Sequence, residues 1–196
     1  MQHLNPTAQA IERVVELTYC YEIWWSLVDR DNKEAFSLVC EQYDEFFSTA
    51  IHSLLLSITV ITYQLFETRR DTVSINSLLE PLKTSHAGLV NQLKSEIEQQ
   101  KSTVVKIFSL RNKVYAHRSN ASLPEDVFRE VGVTPNQLRA VVTLAQRCVA
   151  LLADAVGERV EENFLEELKS RSSWANADLT NLMRSLSEDK HRQAGT

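Results

Sequence analysis

The chain has 196 residues, of which 43% are hydrophobic and 24% charged, with four glycines, four prolines and a formal net charge of −5. This length suits one soluble domain with a full core, and the scarcity of glycine and proline favours helices. Three cysteines, odd in number and widely spaced, indicate reduced thiols and argue against a disulfide framework or a zinc site.

Two helices are predicted in the first third of the chain. Asn5 followed by Pro6 is typical of a helix start, because asparagine caps a helix and proline fits its first position. The apolar face that follows ends in a polar turn at residues 29–32. Apolar residues then keep a 3.6-residue period from Phe36 to Leu65. We predict one helix from this stretch, ~45 Å long at ~1.5 Å per residue.

The middle of the chain is predicted to hold a connector, a second long helix and a loop. Ser74 caps a short helix that Pro81 limits. A long helix begins near Ala87 and is expected to bend near Gln100, where the sequence is polar on all sides. Residues 119–133 are predicted to form a polar loop, and loops beside sites often carry specificity.

The C-terminal third begins with a clear helix start. Residues 134–137 read Thr-Pro-Asn-Gln, a capping box with proline at the first helical position. Gly157 marks a break, and Asp178 is predicted to cap a last short helix. Residues 187–196 are polar and are expected to form a disordered tail. We therefore predict an all-α protein, an antiparallel bundle of four to five long helices plus short connecting helices, as a single domain over residues 1–186.

The charge pattern indicates a chemical site near the end of the second long helix. No acidic residue lies between Glu98 and Glu125, whereas the chain as a whole is acidic. The basic residues in that interval are Lys101, Lys106, Arg111, Lys113 and Arg118. Their charge of +5 leaves −10 for the rest of a chain whose net charge is −5. Such a patch suits a partner that carries phosphate.

Within this patch, Leu-Arg-Asn-Lys-x-x-Ala-His-Arg, beginning at Leu110, resembles the signature of the HEPN superfamily, in particular its abortive-infection (AbiU-like) branch. That signature is an arginine, a following polar residue and then a histidine near a helix end, here Arg111, Asn112 and His117. The pattern of an arginine followed by four to six residues and then a histidine occurs a second time, from Arg184 to His191 with six residues between them, but in a polar tail without an apolar stripe. The first occurrence is therefore the candidate site.

The resemblance implies an all-helical, metal-independent endoribonuclease in which the RNA 2′-hydroxyl is the nucleophile. His117 would be the general acid or base, Arg111 would hold the scissile phosphate, and Asn112 would orient either group. The remaining cations Lys106, Lys113 and Arg118, together with Tyr115 as a stacking group, would bind RNA. The family also implies a defence role against phage or as a toxin, with an antitoxin protein as partner. We further expect a homodimer, because one helix separates Arg111 from His117 by ~9 Å and ~120°, which suits a site completed across a two-fold axis.

Two other functional classes stay open at this level. The basic patch could belong to a helical interaction or RNA-binding module without chemistry, and the acidic residues 158–167 could form the functional surface instead. A di-metal centre needs Glu-x-x-His pairs on facing helices, and the pair from Glu188 to His191 is alone, so we expect no metal and no cofactor.

The sequence predicts a cytoplasmic protein without a membrane partner. Its first residues lack the basic and apolar regions of a signal peptide. The most apolar run, from Leu54 to Phe66, is short and interrupted for a bilayer span.

Overall fold

The computed structural model describes residues 5–69, 71–116, 130–157 and 164–194. These residues form eight helices and, within the described ranges, no strand, which confirms the all-α prediction. In chain order the helices are α1 (Pro6–Val28), α2 (Arg30–Gln42), α3 (Asp44–Phe66), α4 (Ile75–Leu79), α5 (Ala87–Gln99), α6 (Lys101–Ala116), α7 (Pro135–Ala155) and α8 (Phe164–Ala194).

Helix α1 is central to the bundle, with its main neighbours α3, α7 and α8. Its start is capped as the sequence predicts, since the Asn5 side chain accepts a hydrogen bond from the Ala8 N–H at 2.8 Å. Two hydrogen bonds of Tyr21 join α1 to the start of α7. The Tyr21 hydroxyl donates to the Pro135 carbonyl and accepts from Arg139 Nε, each at 3.2 Å. These two hydrogen bonds and the surrounding core hold the start of α7 against α1.

The stretch from Phe36 to Leu65 was predicted to form one long helix. It forms parts of two helices, so the prediction of a continuous helix is wrong. Tyr43 separates α2 from α3 with φ −119° and ψ 39°, and it is 39% exposed rather than part of the buried stripe. Val39 and Phe47, on either side, pack into one small cluster with Leu27. The apolar period therefore continues across the break, and periodicity alone could not reveal it.

The predicted starts of α4 and α7 and the predicted bend near Gln100 are confirmed. Ser74 and Ser77 form a reciprocal capping box at the start of α4. Gln100 separates α5 from α6 with φ −97° and ψ 2°, at the predicted bend. The Thr134 side chain accepts from the Gln137 N–H at 3.2 Å and the reverse bond is present, so α7 begins as expected. A helix start of this kind depends on residues within three positions of each other, so it can be predicted from the sequence.

The last helix is longer than predicted. Asp178 lies inside α8 and caps no separate helix, because the stretch from Phe164 to Ala194 contains neither glycine nor proline. The same helix continues past residue 187, where the sequence predicted a disordered tail. Met183 is fully buried in the cluster of Leu27, Val39 and Phe47, so this helix docks on α1 and α2. The single-domain boundary at residue 186 stays a prediction.

Helix α3 is, in the described part of the chain, the one helix long and apolar enough by composition to cross a membrane. Mostly buried core helices of soluble proteins pass the same test, and 28% of the apolar window of α3 is buried. Its most extensive contacts are with α1 and α6, and its residues Ile58, Ile61 and Leu65 are buried in the main core. Helix α3 thus carries one wall of the core and supports the basic helix α6.

Candidate functional site

The apolar face of the basic helix α6 packs into the main core. Ile107 and Leu110 are buried in the main core, and Phe108 packs against it. Arg111 follows Phe108 by three residues and therefore lies beside it on the helix surface. This spacing brings the Arg111 side chain to the rim of the core, where it is partly buried, while Asn112 and Lys113 are exposed.

The Arg111 guanidinium lies on an aromatic side chain from another helix. Its central carbon is 4.5 Å from the centroid of the Tyr63 ring, in the last turn of α3. The Tyr63 and Phe108 ring centroids are 4.7 Å apart with a 58° angle between the planes. Arg111 Nη1 donates to Asn112 Oδ1 at 3.1 Å. The arginine and the polar residue of the motif are therefore in direct contact.

Two of the predicted RNA-binding lysines are engaged with the chain segment that precedes α7. Lys113 Nζ lies 2.5 Å from a Glu130 carboxylate oxygen, and Lys106 Nζ donates to the Gly132 carbonyl at 3.2 Å. Gly132 has a φ of +64°, a left-handed conformation that glycine adopts without a steric penalty. Glu130 therefore brings a negative charge into a patch that is free of acids in the sequence from residue 99 to 124.

A second arginine belongs to the same end of α3. Arg69 forms a two-pronged ion pair with Asp71, with bonds of 3.0 and 2.6 Å. Its pKa is raised, chiefly by the hydrogen bond to Asp71 and by the charge of that carboxylate. Nothing in the sequence around Arg69 indicates that this end of α3 lies near the motif.

Three of the predicted site residues cannot be placed in full. His117 and Arg118 lie outside the described residues, and Tyr115 lies on α6 with a side chain outside the described part. The acidic segment 158–167 is described only from residue 164. Across the part of the chain that the structure covers, no group of three or more His, Cys, Asp or Glu side chains has the arrangement of a metal site.

Tyr63 is the site residue that sequence reasoning missed. It lies 48 positions from Arg111, inside an apolar helical stretch where an aromatic residue reads as core. Its role depends on α3 and α6 packing side by side, which is a tertiary contact. Glu130 was missed for a similar reason, since it returns to α6 only after residues 117–129.

Comparison with known proteins gives one informative result. The family model described as AbiU2, of the HEPN group, matches residues 4–187, which is nearly the whole chain. Comparisons with curated proteins and with solved structures find no match. The matched region includes the motif from Arg111 to His117, the helix α6 that carries it and Tyr63. The chain therefore belongs to the AbiU2 family of HEPN proteins.

Proposed function

We propose that this protein is a metal-independent endoribonuclease that acts in abortive infection. The observation that carries the proposal is the arrangement at Arg111. The half-buried arginine of the family motif has its guanidinium carbon 4.5 Å from the centroid of the Tyr63 ring and donates one hydrogen bond to Asn112. Guanidinium has five N–H donors in a planar fork that matches a phosphate, so a held arginine suits a scissile phosphodiester.

The proposed reaction is transfer of the RNA phosphate to its own 2′-hydroxyl. His117 takes the proton from the 2′-hydroxyl or gives one to the leaving 5′-oxygen, and Arg111 opposes the negative charge that builds up on the phosphorane. The phosphorus bond to the 5′-oxygen breaks as the bond to the 2′-oxygen forms. The products are a 2′,3′-cyclic phosphate and a free 5′-hydroxyl.

We further propose that the active species is a homodimer in the cytoplasm. Two copies of α6 that meet across a two-fold axis would place two arginines and two histidines around one cleft. Lys106, Lys113, Tyr115 and Arg118 would hold the flanking RNA, and an antitoxin protein would restrain the activity. Light scattering should show a dimer at micromolar concentration. A monomer with full activity would contradict this assembly.

The central experiment is cleavage of total cellular RNA by the purified protein in EDTA. His117→Ala should lower the rate by about 10²–10⁴-fold, the usual contribution of general acid–base catalysis. Arg111→Lys should also lose cleavage, because lysine keeps the charge without the two-pronged donor fork. Both variants should still bind RNA and melt at the wild-type temperature.

The discarded second motif supplies matched controls. His191→Ala and Arg184→Lys make the same chemical changes in the chain and should leave cleavage unchanged. An interaction module without chemistry would give a different pattern, with RNA binding but no cyclic phosphate product in any variant. The occupied lysines Lys106 and Lys113 weigh against that alternative, since a dedicated RNA-binding patch would present free cations. Wild-type cleavage by His117→Ala would refute the catalytic assignment.

A further inference from the structure

Hydrogen bonds from Asn76 and Glu67 hold the C-terminal end of α3, the last turn of which carries Tyr63. The Asn76 side chain donates to the carbonyls of Phe66 and Glu67, at 3.1 and 3.2 Å. These two carbonyls lie at the C-terminus of α3, where backbone acceptors have no partner inside the helix. The Glu67 N–H donates to the Tyr63 carbonyl at 2.9 Å and closes the last turn. The backbone that carries Tyr63 is therefore fixed by contacts from outside the helix.

The Tyr63 ring contacts two side chains of α6. Phe108 contacts it at 4.7 Å between centroids, and the Arg111 guanidinium lies 4.5 Å from its centroid. A cation this close to an aromatic ring is attracted to the electron-rich face of the ring. Among the described residues, Asn112 is the one hydrogen-bond partner of Arg111. The contact with the ring thus limits the rotamers of Arg111, while Asn112 engages one of its five N–H donors.

We propose that Tyr63 is a positioning residue for Arg111, which it holds with the donor edge presented to the scissile phosphate. This inference rests on the proposed ribonuclease function. Arginine has many rotamers, and without the ring its guanidinium would visit them before each encounter with substrate. The hydroxyl of Tyr63 is not needed for this role, because the contact is made by the ring face. A misplacement of about 1 Å in a catalytic group can cost about 10²-fold in rate.

The test compares Tyr63→Leu with Tyr63→Phe in the full-length protein. Tyr63→Leu removes the ring, and we expect the maximal cleavage rate to fall by about 10- to 100-fold while KM for RNA changes little. Tyr63→Phe keeps the ring face and should retain the wild-type rate. Tyr43→Leu is the matched control, since Tyr43 precedes α3 and lies about 30 Å along the helix from Tyr63. A tyrosine whose role is merely to pack would change the melting temperature without this dependence on the ring face.

A double-mutant cycle shows whether Tyr63 acts through Arg111. In an Arg111→Ala background, Tyr63→Leu should not lower the residual cleavage rate further. Equal losses in both backgrounds would overturn the inference and leave the ribonuclease function intact. A wild-type cleavage rate in a folded Tyr63→Leu variant would also overturn the inference.

A measurement independent of activity separates this inference from the proposed function. The side-chain protons of Arg111 should show an upfield ring-current shift by NMR in the wild type and in Tyr63→Phe, and the shift should vanish in Tyr63→Leu. If the wild type cuts no RNA, the proposed function fails, and this shift still decides whether Tyr63 holds Arg111. Random-coil shifts for Arg111 in the wild type would overturn the positioning role even if the leucine variant does not fold.

Discussion

Glu130→Gln should strengthen RNA binding, because the Glu130 carboxylate neutralises a cation of the proposed site. Lys113 Nζ and the carboxylate are 2.5 Å apart, with side chains 43% and 65% exposed. A phosphate that contacts Lys113 from the opposite side would lie roughly 5–6 Å from the carboxylate, at ordinary hydrogen-bond lengths. Repulsion at that distance is about 0.7 kcal/mol in water, and salt at ~0.1 M reduces it by about 40%. A lower local dielectric would raise it again, so we expect a two- to five-fold gain in affinity.

The assay is fluorescence anisotropy of a labelled single-stranded RNA with His117→Ala, which prevents cleavage, as the background. Titrations at several salt concentrations should show a slope steeper by about 0.7 in Glu130→Gln, the value for one added phosphate contact on a single strand. Glu80→Gln is the control, because Glu80 forms a similar exposed pair with Lys83 at the end of α4. The melting temperature should hardly change, since exposed pairs contribute about 0–1 kcal/mol. Unchanged or weaker binding in Glu130→Gln would show that Lys113 is not part of the RNA site.

Three further predictions concern the fold. Met183→Ala should lower the free energy of unfolding by about 2–5 kcal/mol, because Met183 is fully buried, whereas Leu182→Ala, at a 48% exposed neighbour, should cost far less in the same denaturant titration. A chain that ends at Ser187 should keep its melting temperature and its cleavage rate, and a loss of several degrees would show that the last residues dock on the bundle. Burial raises the pKa of the Cys148 thiol to about 12, above its value in an unfolded chain, so its contribution to stability is complete at neutral pH and declines as the pH rises from about 8.5 towards 12. Thermal melts at pH 8 and pH 10 should show a smaller alkaline loss in Cys148→Ala than in the wild type.

The starts of helices could be read from the sequence because their chemistry is local. Asn5, Ser74 and Thr134 each cap a helix within three residues of themselves, and the structure shows each cap. The bend at Gln100 was visible for a similar reason, since polar residues on all sides leave no face to bury. The break at Tyr43 could not be predicted, because the apolar residues before and after it lie on the same face and keep the same period. Local rules therefore predicted the fold class and most boundaries.

The site could be predicted only in the part that is continuous in the sequence. Arg111, Asn112, Lys106 and Lys113 share one helix, and their spacing placed them correctly on α6. Tyr63 comes from α3, and nothing in its neighbours marks it, because an aromatic residue in an apolar helix is usually core. The packing of α3 against α6 decides which aromatic side chain meets Arg111. That decision depends on the register of two helices far apart in sequence.

The different partners of Arg111 and Lys113 assign unequal roles to two cations that look equivalent in the sequence. Arg111 lies on a neutral ring, so it keeps its full charge towards an approaching phosphate. Lys113 lies against the Glu130 carboxylate, which repels a phosphate that approaches the lysine from the opposite side. Under the proposed function we therefore expect a phosphate to bind more favourably at Arg111 than at Lys113. Glu130 thus makes two cations that look alike in the sequence unequal as phosphate contacts of the proposed site.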